Sequence, residues 1–246
     1  MSTLPWILFA LVLLVAMLYA SVGHGGASGY LAAMSLFALP RAQMSTTALL
    51  LNLVVAGMAW AAFWKAGHGS RRLIQPFLIT SIPFALLGGW LKVSSHAYHW
   101  LLAIALGAAA IRLCLPAVAS SSSPVRGAPP APVAWGTGSV IGLVSGIVGV
   151  GGGIFLSPIM ILCRWADAKQ TAAASACFIV INSVAGLLGR MASGSFDPGP
   201  LLPLIGAAAA GGWIGSVVGA NRLPNPALCR VLAGVLSVAV VKWLTA

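Results

Sequence analysis

The chain has 246 residues, 60% hydrophobic and only 6% charged, with a mean hydropathy of +1.01. Soluble domains carry about 25% charged residues, so a water-soluble globular domain is excluded and an integral membrane protein is expected. The net charge of +11 comes from 13 Lys and Arg spread along the chain; no basic run suggests nucleic acid, and the pattern reads as loop residues that set topology.

Ten apolar segments are predicted, at about 5–22, 25–40, 44–64, 73–91 and 98–115, then 134–149, 152–163, 171–189, 201–220 and 227–245. The first lacks a basic n-region and is longer than a signal-peptide core, so it reads as a retained segment. Residues 116–133 carry Ser120 to Ser123, Arg126 and several prolines, the composition of a linker. One transporter domain is expected over 1–246, with repeat 1 at 1–115 and repeat 2 at 134–246.

The halves echo each other. Gly23, Gly25 and Gly26 recur as Gly149, Gly151 and Gly152, a shift of 126. Ser45 and Asn52 recur as Ser175 and Asn182, a shift of 130, and Pro76 and Gly88 as Pro203 and Gly215, a shift of 127. Their common order points to duplication, a frequent feature of transporters.

Charge then orients the halves. Suppose each glycine-broken pair of segments counts as an even unit, either two short crossings or one re-entrant hairpin. One side then receives Lys65, Arg71, Arg72, Arg112, Arg126, Arg164, Lys169, Arg222 and Arg230, and the other Arg41, Lys92, Arg190 and Lys242, nine against four. Single crossings would give six against seven and no bias. The positive-inside rule selects the first arrangement. Each half then crosses an odd number of times, so the repeats are inverted. The expected fold is an all-α polytopic helix bundle of two inverted repeats, each with a glycine-broken helical hairpin. Both termini face outward from the cell inner membrane and the linker is cytoplasmic.

The breaks are Gly23-His24-Gly25-Gly26 and Gly149-Val150-Gly151-Gly152-Gly153. Glycine disfavours a helix interior by about 1 kcal/mol per residue, and broken backbone at membrane depth is tolerated where it is buried in protein or lines a cavity. A helix starting after each cluster offers free N–H groups and the positive end of its dipole, a ready anion site. The candidate substrate-binding residues are therefore Gly23, His24, Gly25, Gly26, Gly149, Gly151, Gly152 and Gly153. Ser45, Thr46, Asn52, Ser175 and Asn182 join them as hydroxyls and amides within membrane segments. His24 reads equally as an anion donor, a proton-coupling group or a hydrogen-bonded structural histidine. Gly88, Gly211, Gly215 and Gly219 read as close-packing glycines.

Only two acids are present, Asp167 and Asp197, both near segment ends, so no buried carboxylate suggests cation transport. The four cysteines lack CxxC spacing and read as small buried hydrophobes. No cofactor or metal is expected. The expected partners are a small anion and the lipid bilayer, with a homo-oligomer compatible with the sequence. An exporter of another small metabolite or amino acid is the alternative; HExxH and GxSxG motifs are absent, which disfavours a membrane-embedded enzyme or assembly subunit.

The second break, with Ser157-Pro158 beyond it and a Ser/Thr-bearing helix following, resembles the TauE/SafE sulfite exporter family of bacterial membrane permeases. The resemblance covers nearly the whole chain; the first half departs from it at Ala32, where the second has Pro158. It implies transport of sulfite, organosulfonates or related small sulfur-containing anions across the inner membrane.

Overall fold

A computed structural model describes residues 6–37, 39–91, 125–224, 227 and 230. The expected segment 98–115, and all of 227–245 but Ala227 and Arg230, lie outside these. The described chain is all-helical: α1 (Trp6–Ser21), α2 (Ala27–Ser35), α3 (Arg41–Lys65), α4 (Arg71–Trp90), α5 (Ala131–Val148), α6 (Gly153–Leu162), α7 (Ala168–Ala192) and α8 (Leu204–Asn221), with a 3-10 turn at Gly199–Leu201. Five of them, α3, α4, α5, α7 and α8, have the length and apolarity to cross a membrane. By contrast α2, with 9 residues, and α6, with 10, are half-helices, about 14–15 Å long at 1.5 Å per residue.

Local chemistry sets the boundaries. The α7 start is a capping box: Asp167 Oδ1 accepts from the Gln170 N–H at 2.8 Å, and Gln170 Oε1 accepts from the Asp167 N–H at 3.3 Å. Thus α7 begins three residues before the expected 171. Helix α5 starts at Ala131, inside the expected linker, because Pro132 sits in the first turn, where its missing N–H costs nothing. The second segment stops at Ser35 rather than 40, and Pro40 then serves as the residue before α3.

Glycine ridges set the packing. Gly138, Gly142 and Gly146 of α5 press against the carbonyls of Phe77, Ser81 and Ala85 on α4. In the same way Gly211, Gly215 and Gly219 of α8 press against those of Leu13, Met17 and Ser21 on α1. A Cβ at any of these positions would collide with backbone, so helix axes approach as closely as small-residue stripes permit. Gly88 lies on Leu143 O in the same manner. The packing role read for Gly88, Gly211, Gly215 and Gly219 is what these contacts show.

The helix pairs repeat when the halves are exchanged. The α1–α8 pair corresponds to α5–α4, α3–α8 to α7–α4, α2–α3 to α6–α7, and α1–α3 to α5–α7. Each half thus packs its first helix on the other half's fourth. The central pair, α3 and α7, is antiparallel. The start of α3 meets the segment after α7, where the Asp197 N–H donates to Thr46 Oγ1 at 3.3 Å. Leu49 then touches Gly186, and Trp60 and Trp64 share a cavity with Cys177.

Basic residues gather at one end of the bundle. Lys65 shares one cavity with Arg71 and another with Asn221, and Lys169 Nζ donates to Ala220 O at 3.3 Å. The Arg126 N–H donates to Arg164 O at 2.7 Å, shortly before α7 begins.

Candidate functional site

Both breaks close by the same mechanism. After α1 the chain turns at Gly23 (φ +77), and the His24 N–H donates to Tyr19 O at 2.8 Å. After α5 it turns at Gly149 (φ +80), and the Val150 N–H donates to Ser145 O at 3.3 Å. These are Schellman closures, with a left-handed residue at the helix end and a 6→1 hydrogen bond; both members of each pair are 126 apart. The following half-helices start from left-handed glycines as well, Gly26 (φ +96) before α2 and Gly152 (φ +84) before α6. Neither start has a side-chain cap. Their first N–H groups therefore depend on other partners.

The two breaks meet inside the protein. Asn52, fully buried on α3, lies between them. Its Nδ2 donates to Val150 O at 3.1 Å, and its amide packs on Gly25 and Gly151. A second bridge runs through His24. The ring sits with Nδ1 at 3.0 Å from Val22 O and Nε2 at 3.2 Å from Ser157 Oγ. A carbonyl only accepts, so Nδ1 donates to Val22 O, while Nε2 faces the Ser157 hydroxyl, whose hydrogen is directed to Gly153 O. Ser157 Oγ also lies 2.9 Å from Gly153 O and 2.6 Å from Ser175 Oγ. His24 thus acts as a hydrogen-bonded link between the hairpins, with both ring nitrogens engaged within the protein.

The other expected residues divide. Gly23 packs on Ala172, Gly149 on Ser45 and Arg190, Gly152 on Phe178, and Gly153 on Ile179 and Ser175 O. Ser45 and Ser175 therefore belong to the junction. Thr46 faces the Asp197 segment instead, as neighbouring Thr47 does by donating to Pro198 O at 3.3 Å. Asn182 turns its Nδ2 to Phe178 O on its own helix, at 2.9 Å.

Three junction residues were not among those expected from sequence. Ser157 centres the hydroxyl chain; it lies four residues after Gly153, hence on the same helix face. Ser183 stands beside Gly151. Arg190 reads from sequence as a loop charge and is corrected here. Only 8% exposed, it lies within α7, and Nη2 donates to Gly146 O and Ile147 O at 3.4 and 3.2 Å. Its guanidinium compensates the negative end of α5 and puts a positive charge against the second break. Gly186 and Arg190, at i and i+4, share a stripe that helical phasing alone would have extended to Arg190.

A membrane-crossing helical bundle with two broken hairpins meeting in its interior has the architecture of a membrane transporter. The sequence matches the family described as sulfite exporter TauE/SafE over residues 8–243. It is 39% identical over 232 residues to a probable membrane transporter protein, y4hK, of Sinorhizobium fredii, an alignment covering 94% of each chain. The chain belongs to the TauE/SafE family. No solved structure matches it.

Proposed function

We propose that this protein is a secondary transporter that moves a small sulfur-containing anion, sulfite or an organosulfonate, across the bacterial inner membrane by alternating access. The observation that carries the reading is the buried meeting of the two breaks, each opening into a half-helix whose N-terminus faces inward from a left-handed glycine. Uncapped N–H groups and aligned dipoles favour an anion there, and the Arg190 guanidinium adds positive charge nearby. The substrate class follows the family's description as sulfite exporters.

The antiparallel α3 and α7, at equivalent places in the two halves, support inverted repeats, and rocking of one repeat against the other would expose the junction to each side in turn. The cluster of Lys65, Arg71, Lys169 and Arg222 supports a cytoplasmic basic end. Extracytoplasmic termini and a cytoplasmic linker follow from that assignment.

Purified protein in proteoliposomes tests the reading, with labelled sulfite, sulfate, thiosulfate and a sulfonate offered in turn. Movement of sulfite or a sulfonate above empty liposomes is expected. If none moves and none raises the thermal midpoint, the substrate class is wrong.

A further inference from the structure

The Asn52 amide has only one possible orientation. Its nitrogen donates to Val150 O, because a carbonyl only accepts, so Oδ1 lies on the other side, against Gly25. That oxygen is buried and has no donor. Asn182, its counterpart 130 residues on, has the same arrangement: Nδ2 is committed to Phe178 O, and Oδ1 is buried without a donor. Ser183 Oγ, beside Gly151, is also buried without a partner. A hydroxyl can rotate to donate or accept, whereas an amide oxygen only accepts.

We infer that the junction selects an anion carrying a hydrogen-bond donor of its own, and that Asn52 Oδ1 is the specificity-determining acceptor. This rests on the anion-transport reading above. The half-helix N-termini offer donors to negative oxygens, and Asn52 offers an acceptor beside them. An anion made only of acceptors would set a lone pair against Oδ1 and leave it unsatisfied in a dry site, which is costly. An anion with one O–H or N–H satisfies both kinds of partner. The favoured class is therefore a singly protonated oxyanion, or a sulfonate bearing a hydroxyl. A fully deprotonated dianion such as sulfate is disfavoured. Sites built to pair a substrate hydroxyl discriminate strongly against analogues that lack it.

The test uses two monoanions that differ by one hydroxyl, ethanesulfonate and 2-hydroxyethanesulfonate, as competitors of labelled sulfite uptake into proteoliposomes. The hydroxylated compound is expected to compete at least about tenfold better with the wild-type protein, and sulfate least of all. Asn52→Leu, close in volume, should bring the ratio of the two sulfonates toward one; a merely structural role would lower all uptake and leave that ratio unchanged. If Asn52→Leu does not insert, the wild-type ratio decides by itself. Sulfite uptake with equal competition by the two sulfonates overturns the donor requirement and leaves anion transport standing. No uptake of any labelled anion overturns both.

Discussion

At the residue scale, the junction depends on atoms that leave no room for substitution. Gly152 has φ +84, and a Cβ there would lie 2.7 Å from Phe178 Cε1. A left-handed non-glycine residue costs roughly 1–2 kcal/mol, before the ring is displaced. Gly152→Ala should therefore tilt the start of α6 and cut transport at least about tenfold, equivalent to ~1.4 kcal/mol, while the protein still reaches the membrane. Unchanged uptake in proteoliposomes would assign the glycine to packing alone. Ser157 makes a second case. Ser157→Ala removes the hydroxyl that joins His24 to Ser175, taking one hydrogen-bond partner each from the buried His24 Nε2 and Ser175 Oγ. The expected loss is about 1–3 kcal/mol, read as a lower unfolding midpoint in detergent. An unchanged midpoint would mean that water replaces the hydroxyl.

At the element scale, the glycine ridges matter more than helix propensity. Two glycines of α5 make the comparison within one helix. Gly142 faces Ser81 backbone, where a Cβ would lie 2.7 Å from Cα, whereas Gly136 has nothing within 4 Å. Gly142→Ala should push α4 and α5 apart and destabilise by about 1–3 kcal/mol, the usual range for overpacking. Gly136→Ala should be neutral or stabilising by up to about 1 kcal/mol, since alanine is the better helix former. Thermal unfolding of the two variants in detergent checks the difference in sign. If both behave alike, the α4–α5 contact is looser than the carbonyl-to-glycine approach implies. The half-helices obey other rules. They lack the length to cross a membrane alone, and their buried faces are completed by α3 and α7.

At the scale of the whole molecule, the arrangement of charge follows from the antiparallel central pair. Phe196, 39% exposed, precedes α8, and Asn221 ends it, near Lys65 at the basic end. With the native cysteines replaced by serine, Phe196→Cys should react with a membrane-impermeant maleimide in intact cells. Asn221→Cys should react only after the membrane is opened. The reverse pattern would place the basic end outside and invert the direction assigned to each repeat. Labelling both sites in intact cells would show that α8 does not cross.

Class and the places where helices break were legible in the sequence because both are statements about periodic apolar content and the positions of helix breakers. Long apolar runs must become helices where backbone groups have no water to bond. Glycine clusters 126 residues apart mark where those helices stop. Much of the junction could be named as well, since Asn52, Ser45 and Ser175 are polar residues in otherwise apolar segments. What a chain read in one dimension does not carry is which partner each polar atom chooses. Thr46 and Ser45 are neighbours, yet one faces the Asp197 segment and the other the second break, because successive helical residues point about 100° apart. Arg190 looks like a loop charge until α5 ends beside it and its carbonyls need donors. Only the tertiary structure decided that Asn52 stands between the breaks, and that Ser157 joins His24 to Ser175 across 133 and 18 residues of chain. Those contacts come from crossing helices held together by glycine ridges, and such crossings are set by the shapes of both surfaces rather than by either segment alone.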